Sequence, residues 1–260
     1  MTLRDTDQRT PPEDPEQFYD RFWRSPRWGS AEPNDDERSR LAAIEDLLGE
    51  AGGETRLRIL DLGCGRGWLS HALTRYGEVL GTDVVGAAVE RARELFPDLE
   101  FERTDIEGLM ASHGPAAFDV VVSSEVLEHV PDADKSDFLD GVRQLVKPDG
   151  VAILTTPRGE LLETWQRAIT SQQPVEEWIT EAELDRLAVH VGFRVERRCR
   201  AHVYGLSPLS RLYASRVFRA CARRLPVLER LTDGSRIYQV VLLRRPEEDD
   251  GGGRAGDWPT

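Results

Sequence analysis

The chain has 260 residues, 39% of them hydrophobic and 31% charged, which is enough for one large domain with a real core and excludes fibrous, collagen-like or wholly disordered classes. Its net charge of -13 opposes attraction to polyanions, so nucleic acid is not expected as a partner. No run of about 18 uncharged apolar residues occurs, and the first residues lack the apolar core of a secretory signal, so a cytoplasmic location is expected.

Residues 1–16 are rich in Pro, Asp and Thr without periodicity and read as a flexible tail. Residues 17–55 read as an N-terminal helical lid or cap that opens on the aromatic run Gln17-Phe18-Tyr19-Asp20-Arg21-Phe22-Trp23. Tyr19 and Trp23 are four residues apart and share a helix face, which either closes over a bound ligand or docks the helix on the body. From 56 to 245, short apolar runs alternate with helical patterns, beginning RLRILDL, WLSHALTRY, EVLGTDV and GAAVERARELF. That alternation predicts a mainly parallel sheet with helices on both faces. The cysteines Cys64, Cys199 and Cys221 are far apart and in no CxxC spacing, so they are expected to be small buried residues rather than a disulfide framework or zinc site.

The first strand of this series, Ile59-Leu60-Asp61-Leu62, runs into Gly63-Cys64-Gly65-Arg66-Gly67-Trp68 and then a helix. The crevice at the carboxyl end of such a strand is where open α/β sheets bind ligands. A P-loop would need GxxxxGK[ST], which is missing, and a dinucleotide fingerprint would need glycine where Trp68 stands. Asp61 would repel a pyrophosphate and favour an ammonium group, so the loop suits a ligand with an amino-acid head and a nucleoside. Asp83 ends the second strand, about twenty residues after Gly63, and can accept two hydrogen bonds from a ribose diol. Asp105, with Ile106 beside it, ends the third strand within reach of an adenine amino group. Each aspartate has the alternative use of capping the next helix.

Further along, Phe138, Leu139, Val142, Leu145 and Val146 make one apolar helical stripe before Pro148-Asp149-Gly150, the expected stop. Thr180 and Glu183 form a capping box for a helix carrying Leu184, Leu187, Ala188 and Val191 and ended by Gly192. A helical insertion at about 204–233 precedes the final strand near 236–244. Within it, Tyr204 to Leu231 holds Arg211, Arg216, Arg219, Arg223, Arg224 and Arg230 against Glu229 alone. Its segment 209–224 projects as a basic amphipathic helix that pairs with the acidic body, closes over an acceptor, or makes peripheral contact with an anionic membrane. Residues 246–260 read as a flexible tail, acidic and rich in glycine.

Together, DLGCGRG, the later Thr82-Asp83, FDVVVSSEVLEHV and LVKPDGVAILTTP resemble the S-adenosylmethionine-dependent methyltransferases of the Rossmann-like fold over about residues 57–200. The resemblance implies an α/β fold with a seven-stranded, mostly parallel sheet, helices on both faces and the last strand antiparallel. It implies S-adenosyl-L-methionine as cofactor and S-adenosyl-L-homocysteine as product. Asp61, Gly63, Cys64, Gly65 and Gly67 would line the methionine moiety, Asp83 and Val84 the ribose, Asp105 and Ile106 the adenine, and Ser124 and Glu125 the crevice edge.

A sulfonium methyl group is already activated, so alignment of the acceptor behind it supplies most of the acceleration. His129, an imidazole, is the candidate base for an acceptor hydroxyl, with Glu125 as a second candidate catalytic residue. The competing use of His129 is packing or capping where the chain turns at Pro131. The EVLEHV run is similar to a subset that includes ubiquinone-biosynthesis O-methyltransferases and small-RNA 3′-end methyltransferases. In the latter a divalent-cation set matches Glu125, Glu128 and His129, but its further histidine falls here among Ser171, Gln172, Gln173 and Pro174, so no metal is expected. The expected activity is methyl transfer to an oxygen, less readily a nitrogen, of a small-molecule or lipid-like acceptor. The alternative is a catalytically silent module that binds the same cofactor, against which the intact glycines and carboxylates argue.

Overall fold

The computed structural model describes residues 15–25, 29–51, 56–166, 176–201 and 236–247. Residues 1–14 and 248–260 of the tails, the basic insertion with its segment 209–224 and Cys221, and separately Ser171 to Pro174 lie outside these residues. Among the described residues, seven strands form one sheet: β1 (Leu57–Leu62), β2 (Gly77–Asp83), β3 (Glu100–Arg103), β4 (Phe118–Ser124), β5 (Val146–Pro157), β6 (Arg194–Ala201) and β7 (Tyr238–Arg244). Their order is β3-β2-β1-β4-β5-β7-β6, with β7 antiparallel to both its neighbours and the pairs from β3 to β5 parallel. This is the expected Rossmann-like sheet with its last strand reversed.

The helices are α1 (Pro15–Arg24), α2 (Asp35–Ala51), α3 (Trp68–Leu73), α4 (Gly86–Leu95), α5 (Ile106–His113), α6 (Lys135–Leu145), α7 (Leu162–Gln166) and α8 (Glu181–His190). Strand side chains alternate between the two faces, as a pleat requires. Val121, Ala152 and Leu154 join Leu109, Leu139, Val142 and Leu184 on one side, which buries α5, α6 and α8. Val120, Val122 and Ile153 join Ile44, Leu47, Leu48, Leu69 and Leu73 on the other, which buries α2 and α3. The second helix of the 17–55 segment is thus part of the core, and α1 packs against α4.

Several local expectations hold and others shift. The capping box on α8 is complete, with Glu183 N–H on Thr180 Oγ1 and Glu183 Oε2 accepting from Thr180 N–H. The stripe of α6 faces the core, but the helix ends at Leu145 because Val146 already pairs with Phe118 in the sheet. Pro148-Asp149-Gly150 is therefore an irregularity inside β5, where Asp149 has φ +60° and its N–H is held by Arg245 O, rather than the helix stop. Cys64 is buried as expected, whereas Cys199 is only half-buried because β6 is the edge strand. Among the described residues no helix is long and apolar enough to cross a membrane.

Candidate functional site

β1 delivers the chain into the glycine loop at the carboxyl edge of the sheet. Gly63, Gly65 and Gly67 have φ of +79°, +53° and +81°, a region disfavoured for other residues. At Gly63 and Gly65 space adds to conformation: a Cβ there would come within 2.2 Å of Val126 and 2.8 Å of the Trp23 ring. The loop is fixed to β2 by the Gly63 and Cys64 N–H groups, both 2.8 Å from Thr82 O.

Asp61 is 1% exposed, and its Oδ2 accepts a 2.6 Å bond from Ser70 Oγ. Its Oδ1 is buried with no partner among the described residues, and burial raises the carboxyl to about 7. A buried acceptor left open in this way is costly unless a ligand donor meets it. Asp83 takes the Gly65 N–H on Oδ2 and the Val85 N–H on Oδ1, both at 2.9 Å, so it first shapes the loop and then offers its remaining lone pairs outward. Burial pushes its carboxyl above the ordinary range despite these bonds. Val84 is exposed. Asp105 is exposed and caps α5, accepting the Gly108 N–H at 2.8 Å, while Ile106 is half-buried against the core. Cys64 is buried in the loop, and burial holds its thiol well above the usual range.

At the end of β4 the chain turns sharply. Glu125 has φ +60° and is the only such residue in the crevice that is not glycine among the described residues, a strain that strand ends at binding sites commonly store. Its N–H bonds Thr155 O, and its Oε1 accepts from Thr155 Oγ1, each at 2.9 Å. Ser124 Oγ shares the same Thr155 hydroxyl at 2.9 Å. Glu128, in the 3₁₀ turn Leu127–His129, is buried and accepts from Thr156 Oγ1 at 3.1 Å. Burial and, next, the neighbouring Glu128 charge raise Glu125 to about 8; burial alone leads in raising Glu128 to about 7. His129 is half-buried, and its charge bears on Glu125. Among the described residues no group of three His, Cys, Asp or Glu side chains is placed to hold a metal ion, and Glu125 and Glu128 accept from the β5 threonines Thr155 and Thr156.

The structure adds a residue that motif reading missed. Arg40 of α2 is 7% exposed, with its guanidinium 4.6 Å above the Tyr238 ring. No hydrogen bond or ion pair engages that guanidinium among the described residues, and its Nε is buried without a partner. Burial works against its charge, but Glu125, Tyr238, Glu37 and Asp36 outweigh that and hold it above its ordinary value. It therefore remains a cation facing the ends of β4 and β7 with donors to give. The one sequence signal was its register: Glu37, Arg40, Ile44, Leu47 and Leu48 share the buried face of α2, where an arginine needs a reason.

Over this floor lies α1. Trp23 packs against Gly65, and the half-buried Tyr19 phenol is raised by burial and then by the Asp83 and Glu128 charges. The site thus offers an open carboxylate oxygen at β1, a buried guanidinium over Tyr238 whose Nε has no partner among the described residues, and the aromatic side chains of α1. An acceptor for ammonium and a donor for carboxylate are what an amino-acid head requires, so the residues present fit the ligand anticipated from the glycine loop.

Residues 59–150 match a family described as "Methyltransferase domain". A ubiquinone biosynthesis O-methyltransferase of Psychrobacter arcticus is 34% identical over 180 residues, covering 60% of this chain and 65% of that protein. One from Leptothrix cholodnii is 37% identical over 124 residues, covering 45% and 50%. The chain spans from half to just under two thirds of the length of these curated relatives. Among solved structures, the N-methyltransferase NodS from Bradyrhizobium japonicum, in complex with S-adenosyl-L-homocysteine, superposes with a TM-score of 0.63 at 18% identity, covering 90% of this chain and all of that one. That likeness shows the fold.

Proposed function

With residues 59–150 matching a methyltransferase domain, we propose that this chain is an S-adenosylmethionine-dependent methyltransferase that acts on an oxygen of a small-molecule or lipid-like acceptor. The observation that carries the reading is the pair of buried atoms of opposite-sign groups that have no partner among the described residues, Asp61 Oδ1 on β1 and Arg40 Nε on α2. A dinucleotide offers neither an ammonium nor an α-carboxylate to meet them.

In this reading Asp61 accepts the cofactor's ammonium and Arg40 binds its carboxylate. Asp83 meets the ribose while holding the loop, and Ile106 and Asp105 border the adenine. The bound cofactor supplies a methyl group on a sulfonium, already activated toward attack. The chain then has two tasks, to align the acceptor and to remove its proton. Tyr19 and Trp23 of α1 exclude water from above, which strengthens the electrostatic contacts below them. His129, beside Glu125 at the end of β4, takes the hydroxyl proton. The preference for oxygen agrees with the names of the curated relatives.

The test is transfer of isotope-labelled methyl from the cofactor to a panel of phenols, enols and aliphatic alcohols, with matched amines. Label on hydroxyl acceptors supports the proposal. Tight S-adenosylhomocysteine binding with no label on any acceptor would favour a silent binding module instead.

A further inference from the structure

Between two glycines of the loop stands Arg66, whose side chain is 1% exposed although loops of this kind are solvent-facing. Its Nη1 and Nη2 donate to Glu37 Oε1 and Oε2 at 2.7 and 2.8 Å, a two-pronged pair in which both partners are buried. The Nε donates to Ser30 O, and Nη2 reaches Glu32 O at 3.4 Å. Glu37 in turn closes the N-terminus of α2: its Oε2 accepts the Asn34 N–H at 2.7 Å, and its own N–H bonds Asn34 Oδ1 at 2.9 Å. Alongside, Arg91 of α4 holds Gly29 O at 2.6 Å. The segment 29–37 is thus strapped across the glycine loop, and Arg66 is its buckle.

Glu37 lies three residues before Arg40 on the same face of α2, so the two side chains are separated by about 4.5 Å of rise on a rigid helix. On the other side, Arg66 belongs to the loop that begins two residues after Asp61. We propose that Arg66 and Glu37 are positioning residues that set the span between Asp61 and Arg40, and so the fit of the crevice to the amino-acid head of its ligand. The inference rests on the cofactor reading and goes past it, because it assigns recognition of the head, as distinct from the nucleoside, to a contact that touches no ligand. Bidentate geometry matters here, since a guanidinium fork fixes two distances at once and a lysine ammonium fixes none.

The experiment compares two ligands on the full chain by calorimetry: S-adenosylhomocysteine, and methylthioadenosine, which has the same nucleoside but no amino-acid head. In Glu37→Gln and in Arg66→Lys, S-adenosylhomocysteine should bind about tenfold more weakly or worse, while methylthioadenosine stays within about twofold of wild type. Arg66→Lys keeps the buried positive charge and serves alone if Glu37→Gln does not fold. Equal losses for both ligands would mean the pair merely stabilises the fold, and an undiminished S-adenosylhomocysteine affinity would remove any role; either overturns the inference. If the wild-type chain binds neither ligand, the cofactor reading itself has failed.

Discussion

Replacing Arg40 with methionine should cost the ligand-free chain at most about 2 kcal/mol, or stabilise it, while weakening its hold on S-adenosylhomocysteine. Arg40 is 7% exposed and carries a charge with no hydrogen bond or ion pair among the described residues. Exchanging buried ionic groups for apolar ones of similar size is commonly neutral or stabilising by about 1–4 kcal/mol. Against that stands the stacking on Tyr238 at 4.6 Å, worth up to about 2 kcal/mol when desolvated. The net lies between a loss of about 2 and a gain of about 4 kcal/mol, so Tm should fall by no more than roughly 8 °C for a domain of this size. The measurement belongs at pH 6, where Glu125 and Glu128, with pKa of about 8 and about 7, hold their protons and lose little from the absence of the cation. Ligand affinity should move the other way, since charge-assisted hydrogen bonds are worth about 1.5–3 kcal/mol, or about 10- to 150-fold in Kd. Thermal unfolding by circular dichroism gives the first quantity and calorimetry the second. A loss of stability beyond about 3 kcal/mol would show that Arg40 is paired, and unchanged affinity would show that it does not face the ligand.

Titration should separate stability from binding. Asp61, Glu125 and Glu128 have folded pKa values of about 7, about 8 and about 7, above their ordinary 3.8, 4.5 and 4.5, so the folded state keeps protons that the unfolded state has released. Their contribution is full below about pH 4 and is lost as pH rises through 7 to 8, so the Tm of the ligand-free chain should fall between pH 5.5 and about 8.5; a rise over that interval would contradict the burial of these groups. S-adenosylhomocysteine affinity should instead increase as pH passes about 7, where Asp61 ionises, and Asp61→Asn should abolish that dependence. Gly65→Ala should cost about 1–2 kcal/mol in backbone conformation alone and displace Trp23, read as a shift in tryptophan fluorescence. His129→Ala should lower turnover by about 100-fold or more while leaving S-adenosylhomocysteine affinity within about twofold; a large affinity loss would assign the imidazole to packing.

The parts of the molecule dictated by local rules were legible in the residues. Periodicity and turn chemistry foretold the sheet, the α6 stripe and the α8 capping box, and the glycine spacing together with Asp61 foretold the crevice. What escaped depends on long-range contacts. No motif announces Arg40, because its meaning comes from the absence of a partner, which only the packing of α2 against β7 reveals. Nothing in the glycine spacing singles out Arg66, because the partner that gives it meaning, Glu37, lies 29 residues earlier in the chain. The helix stop assigned to Pro148-Asp149-Gly150 shifted because pairing of Val146 with Phe118 overrides local turn preference. α5 escaped because its hydrophobic face is short and only Leu109 is fully enclosed.

The most direct test of the account is a crystal structure of the full chain with S-adenosylhomocysteine bound. The account predicts the ligand's ammonium within about 3.2 Å of Asp61 Oδ1 and its carboxylate on the Arg40 guanidinium, beneath Tyr19 and Trp23. A ligand lodged away from the glycine loop, or one that leaves both Asp61 and Arg40 untouched, would contradict it.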